Sequence, residues 1–253
     1  MTSTSMSKPR RKKPDEKRPR LLAPYRSYLH LYAEKIKSGQ IVAGTHIKQG
    51  IRRFLDDFDN PELRIDLSES DKRIRFIEHE CKLYEAPFSG RPFKLELFQK
   101  AIIESIYAIK KWNPEANFGK GGWVRKYQDV LILIARKNGK TPLVAAISLS
   151  EFMCGEMGTK ILYGSNDFEQ ADLAFSATDA MREESPSMAK RTRRNQKGIF
   201  FGNPKHRKTK GKYSYQNKGS IRKISANGKN KEGRNIKVGV VDEVHEMEDD
   251  HLI

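Results

Sequence analysis

Seven consecutive residues, Ala135-Arg-Lys-Asn-Gly-Lys-Thr141, carry the side chains in this 253-residue chain best suited to phosphate chemistry. A loop that cradles phosphate needs backbone N–H groups turned inward and a glycine that lets the chain approach. It also needs an ammonium for the β- and γ-oxygens and a hydroxyl for Mg²⁺. Gly139, Lys140 and Thr141 supply the glycine, the ammonium and the hydroxyl in that order. The generic pattern has a further glycine five positions before Gly139, where Ile134 stands, so a ligand-free strand–turn–helix shares the same outline. Pro142 is tolerated in a first helical turn but removes one donor that phosphate could have used.

The second constellation is Val238-Gly-Val-Val-Asp242-Glu243. A mostly apolar run places a strand inside a sheet, and Asp242 at its tip is suited to holding Mg²⁺ through water. Glu243 is suited to polarising an attacking water as a general base. Acidic pairs at strand ends are common, so each motif alone says little. Together, in this order and each following a predicted core strand, they point to an ATPase that uses ATP and Mg²⁺.

The elements that must position these groups follow from periodicity. Asp129–Ala135 reads as a short, fully buried strand leading into the loop, and Lys140–Phe152 reads as the helix that leaves it. Lys160–Gly164 is a second buried strand, followed by a helix over Asp167–Glu184 that Ser165 or Asn166 would cap. Residues 190–230 are basic, Gly-rich and hairpin-like, with a short strand at Ser220–Ser225, and Ile236–Val241 is a buried strand. This order predicts an α/β fold with a parallel sheet and its ligand at the carboxyl ends of the strands. Upstream, apolar residues at helical spacing predict helices over Tyr25–Ile36, Ile47–Phe58 and Ser70–Tyr84, and another near Leu97–Lys111 ahead of a Gly-rich turn at Gly119–Gly122. The expected organisation is a disordered basic tail over 1–20, a small helical region over 21–84 and the ATPase core over 85–253.

Charge adds a partner. The net charge of +17 is concentrated in two blocks: eight Lys and Arg against two acids in residues 1–20, and seventeen against Glu232 alone in 190–237. Such blocks on a near-neutral body suggest a polyanion, bound through counterion release. Tyr213 and Tyr215 in the second block could stack on nucleic acid, although a hairpin face explains them equally well. The apolar run Val130–Ala135 is far short of the roughly 20 residues a membrane span needs, and the basic N-terminus lacks the apolar stretch of a secretory signal. Cys81 and Cys154 fit reduced thiols, His245 fits a helix start better than a metal ligand, and Trp112 and Trp123 fit core or lid aromatics.

Several of these segments resemble one family. Arg136-Lys137-Asn138-Gly139-Lys140-Thr141 is similar to the deviant Walker A loop of tailed-phage terminase large subunits, in which an arginine near the loop's start replaces the first glycine. Asp242-Glu243-Val-His245-Glu246 resembles their Walker B, and Phe93-Lys-Leu-Glu-Leu-Phe-Gln99 resembles their adenine-recognising segment. Tyr163–Ala171, Ser225-Ala226, Gly233-Arg-Asn235 and Tyr32–Gly44 also resemble the family, so the likeness covers roughly residues 21–253. The resemblance implies a RecA-like P-loop core whose hydrolysis of ATP drives double-stranded DNA into a capsid. It implies phosphate binding by Arg136 and Lys140, Mg²⁺ binding by Thr141 and Asp242, and catalysis by Glu243 assisted by Arg136. Lys137, Asn138 and Gly139 complete the loop, and Gln99 would meet the adenine edge. It further implies a portal protein, a small terminase subunit, a homo-oligomeric motor and a place in the cytoplasm of an infected bacterium. The chain ends ten residues after Glu243, so the family's later coupling motif and its nuclease domain are not expected from it. A helicase-like DNA-dependent ATPase, or a non-enzymatic basic nucleic-acid binder with a degenerate loop, are the alternative readings.

Overall fold

The computed structural model describes residues 27–165, 168–202, 219–225 and 236–241. The predicted tail over 1–20 therefore lies outside the described residues. The chain divides into two compact units, one formed by residues up to 70 together with 104–130, the other by 71–103 with everything from 131 onward.

The first unit begins with α1 (Tyr28–Lys37) and α2 (Thr45–Asp59). Ser27 opens α1, its hydroxyl accepting the His30 N–H at 3.2 Å. The buried carboxylate of Glu104 accepts the Tyr28 and Leu29 N–H groups at 2.9 and 3.1 Å, so the positive end of the helix faces a negative charge. Lys35 and Lys37 in the last turn complement the other end. α2 stops where the chain turns extended at Asn60, ahead of Pro61.

Beyond the helices lies an antiparallel sheet that hydropathy patterning does not reveal: β1 (Leu63–Ile65), β2 (Ile109–Asn113) and β3 (Gly122–Arg125), in that order. Trp112 and Trp123 face each other across β2 and β3 as an edge-to-face pair 5.6 Å apart. The expected helix over Leu97–Lys111 therefore stops early, since α4 (Leu97–Ala108) gives way to strand at Ile109. Between β2 and β3, the single turn α5 (Ala116–Gly119) holds Asn117 and Phe118 in left-handed conformations.

In the second unit, α3 (Leu67–Glu80, from residue 71) and the first part of α4 join α6 (Lys140–Cys154), α7 (Phe168–Glu183) and α8 (Pro186–Arg191). They accompany a five-stranded sheet ordered β5 (Thr192–Asn195), β6 (Gly198–Phe201), β7 (Ser220–Ser225), β4 (Lys160–Ser165) and β8 (Val238–Val241). The expectation of a parallel sheet is corrected here, because the sheet is mixed. β4 runs parallel to both β7 and β8, whereas β5, β6 and β7 are antiparallel. Two residues separate β5 from β6, and so tight a connection can join only antiparallel strands.

A second correction concerns Asp129–Ala135. Among the described residues this segment pairs with no strand, and Leu131 and Leu133 are 74% and 86% exposed while Ile132 and Ile134 are half-buried. Apolar, β-branched composition says how a segment packs once it is paired. Pairing also requires a neighbouring edge, and composition does not supply one.

Ile161 and Tyr163 of β4, Ile199 of β6 and Ile221 of β7 are fully buried, as are Leu143, Leu149 and Phe152 of α6 and Phe175 and Met181 of α7. The Tyr163 hydroxyl donates to Ser148 of α6 at 2.7 Å and lies 2.7 Å from the Thr178 hydroxyl of α7, which ties both helices to β4. The α3 helix is held to α6 by the buried Arg73–Glu151 pair at 3.3 Å and by Lys72 donating to the Cys154 carbonyl.

Candidate nucleotide-binding site

The loop predicted to hold phosphate is a defined turn opening α6. Asn138 closes it: its N–H donates to the Ala135 carbonyl at 3.3 Å. Its side-chain amide donates to the carbonyls of Ala135 and Arg136 at 3.2 and 3.3 Å. That dual role explains why a short amide side chain stands there. Lys137 sits at φ 65°, a left-handed conformation that costs a residue with a Cβ about 1 kcal/mol or more. Gly139 follows at φ 75°, ψ 27°, where glycine carries no such cost, and forms the N-cap of α6. The Leu143 N–H closes on the Gly139 carbonyl at 3.0 Å, so the helix begins at once.

This helix start has the features of an anion site. No side chain hydrogen-bonds to cap it, and its first turn contains no acid. The backbone amides of Lys140 and Thr141 occupy the first helical positions, which have no partner one turn earlier within the helix. Arg136, Lys137 and Asn138 are exposed around it, while Gly139, Lys140 and Thr141 are half-buried. Three cations therefore lie within five residues of one helix N-terminus.

Gln99 is brought to the same place from a distant stretch of sequence. It is 4% exposed, and its side-chain nitrogen lies 3.5 Å from the point a Cβ on Gly139 would occupy. Asp242 and Glu243 follow β8 directly in the chain but lie outside the described residues, as do His245, Tyr213 and Tyr215. β8 itself is in register with β4, Val238 opposite Ile161 and Val241 opposite Gly164. Among the described residues no three His, Cys, Asp or Glu side chains gather as a metal site. Cys81 and Cys154 are free thiols whose pKa values are raised by burial, an effect that neighbouring Arg73 and Lys72 partly offset at Cys154. Neither is a nucleophile at neutral pH. The closing role of Asn138 and the left-handed Lys137 were not legible beforehand. The Asn-Gly pair is the signal that could have located the turn.

The family model for the terminase large subunit, ATPase domain, matches residues 98–253. The chain belongs to this family. The matched stretch of the terminase ATPase domain starts one residue before Gln99 and takes in the loop, α6, α7 and the whole mixed sheet. The large terminase subunit of Enterobacteria phage HK97 is 33% identical over 125 residues, 48% of this chain and 22% of that protein. Among solved structures, the crystal structure of the HK97 bacteriophage large terminase superposes with a TM-score of 0.49 and 25% identity. The superposition covers 68% of this chain and 30% of that one. The chain thus spans under a third of the length of either relative.

Proposed function

We propose that this chain binds Mg-ATP at loop 135–141 and hydrolyses it as part of a terminase motor that packages double-stranded DNA. The observation that carries the reading is the left-handed Gly139 at the uncapped start of α6, followed at once by Lys140 and Thr141, inside the stretch matched to the family. The residues present fit the nucleotide. The loop offers two backbone amides, a half-buried lysine and a hydroxyl, and no acid in the turn repels a phosphate.

In this mechanism the Lys140 ammonium and Arg136 guanidinium hold the phosphate oxygens, and the loop backbone of Lys137, Asn138 and Gly139 shapes the cradle. Thr141 and Asp242 are the residues that would hold Mg²⁺, whose charge offsets that of the β- and γ-oxygens. Glu243 accepts the proton of the attacking water, and Arg136 neutralises charge that builds on the transferred phosphoryl group. The fold that serves this chemistry is a RecA-like P-loop core. The working motor is a homo-oligomer acting with portal protein and small terminase subunit in the cytoplasm of the infected bacterium. Among the described residues no helix is long and apolar enough to cross a membrane.

The test is binding of a labelled ATP analogue with Mg²⁺ at moderate salt, wild type against Lys140→Ala. Because a chain of net charge +17 attracts any polyphosphate, the variant is the decisive control. Binding that disappears in Lys140→Ala supports the site. Equal, salt-sensitive binding by both would refute it and favour a basic nucleic-acid binder, the second reading that the charge itself suggests. Hydrolysis rests on Glu243: in the full-length protein, Glu243→Gln is expected to abolish turnover, and unchanged turnover would remove its assigned role.

A further inference from the structure

Gln99 is placed so that its two amide ends do different work. α4 starts at Leu97, which makes Glu96 the residue before the helix and Gln99 the third residue within it. The Gln99 side-chain oxygen accepts the Glu96 N–H at 2.9 Å, the return half of a capping box. A backbone N–H can face only an acceptor, so this bond fixes the orientation of the amide: oxygen toward Glu96, NH₂ away from it. The NH₂ end then lies beside Gly139, 3.5 Å from where a Cβ would stand.

The start of α4 is itself held in place. The Leu95 N–H and the Lys100 ammonium both meet the Glu78 carboxylate of α3, at 3.1 and 3.0 Å. The Phe93 N–H donates to the Cys81 carbonyl at 2.9 Å. The side chain that touches the loop is therefore mounted on a fixed support.

Reading the edge of adenine requires an acceptor and a donor presented side by side. Gln99 offers no such pair, because its oxygen is committed to the helix start and 4% exposure leaves it little edge to present. We propose that Gln99 is a positioning residue for the phosphate loop, holding Gly139 and the amides of Lys140 and Thr141 in place, and does not select the base. The proposal rests on loop 135–141 being the nucleotide site, and it predicts that Gln99 affects every polyphosphate alike.

The experiment compares wild type, Gln99→Leu, Gln99→Glu and Lys140→Ala in two measurements on the whole chain. The first is amide hydrogen exchange without ligand. Gln99→Glu keeps an acceptor for the Glu96 N–H but loses the NH₂, so exchange should quicken at residues 139–141 while the start of α4 stays protected. In Gln99→Leu both should quicken. Unchanged exchange at 139–141 in both variants overturns the proposal, and this measurement needs no nucleotide.

The second measurement is binding of Mg-ATP, Mg-GTP and Mg-tripolyphosphate. Both Gln99 variants should weaken all three by a common factor of about five to ten, the worth of one lost hydrogen bond. A loss confined to ATP would make Gln99 the adenine reader and overturn the proposal, and so would no loss at all. Lys140→Ala separates the two levels. If it binds as well as wild type, the nucleotide-site reading fails, while the exchange result still decides what Gln99 does to the loop.

Discussion

Replacing Asp179 by alanine should be among the most damaging single changes in the second unit, and the structure sets the size of the loss. Asp179 and Arg182 lie one turn apart on α7 with side chains only 4% and 5% exposed. Arg182 donates through Nε at 2.8 Å and through a terminal nitrogen at 2.7 Å to one Asp179 oxygen. The other Asp179 oxygen takes Arg194 of β5 at 2.9 Å. Removing the carboxylate leaves a desolvated guanidinium with a 3.4 Å contact to Thr192 and a 3.0 Å contact to Glu183, which is 66% exposed. Breaking a buried pair from one side costs about 3–5 kcal/mol, and Glu183 recovers part of that, so about 3 kcal/mol is expected. Arg194 is 44% exposed, and its removal should cost about 1 kcal/mol or less, including its stacking over Phe175.

Equilibrium urea unfolding measures both losses. Asp179→Ala should also lower the melting temperature by roughly 6–12 °C, at about 2–4 °C per kcal/mol for a protein of this size. The double variant Asp179→Leu/Arg182→Met removes both charges and should return to within about 1 kcal/mol of wild type. If Asp179→Ala cost no more than Arg194→Ala, the pair would not be desolvated and the reasoning would fail.

Other outcomes follow from the same geometry. Gly198→Ala should disrupt the β6–β7 pairing, because the added Cβ would stand 2.3 Å from the Ile221 carbonyl oxygen at φ 139°; a cooperative unfolding transition matching wild type would contradict this. Tyr163→Phe should cost about 1–2 kcal/mol in urea unfolding, since it leaves the buried Ser148 and Thr178 hydroxyls without their shared partner; a neutral result would show that they re-pair locally. The Tyr127 hydroxyl is pushed up to about 12 by burial and by its 2.5 Å bond to Asp57. The raised value means the fold favours the neutral phenol. Its contribution is therefore complete below pH about 10 and lost as pH rises toward 12, which an ultraviolet phenolate titration would follow. Cys81 should resist a thiol reagent in the folded protein while Cys154 reacts slowly, and equal rates would contradict their burial.

How much was legible in sequence depended on whether local signals and tertiary partners agreed. α6, β4 and α7 stood out because caps, periodicity and length all pointed one way, from Gly139 at the start of α6 to Glu183 at the end of α7. β2 was hidden because Ile109 continues the apolar spacing of α4, and Lys110 and Lys111 show no alternation. Val130–Ala135 had the composition of a core strand, but its fate depends on an edge elsewhere in the chain. The loop was legible as a motif; its contact with Gln99, forty residues earlier, was not, because only the fold brings α4 to Gly139.

That exposed ribbon has a consequence for the protein in solution. Six apolar residues, Val130 to Ala135, lie extended with alternate side chains turned outward, and no charge interrupts them. A strand of this kind offers its backbone to any passing copy, which makes it a nucleus for intermolecular cross-β stacking. Asp129 at one end and Arg136 with Lys137 at the other act as gatekeepers, repelling copies that stack in register. Salt that weakens this repulsion should bring turbidity at concentrations where the low-salt protein stays clear. The two cations that would hold phosphate thus also limit self-association in the unliganded protein.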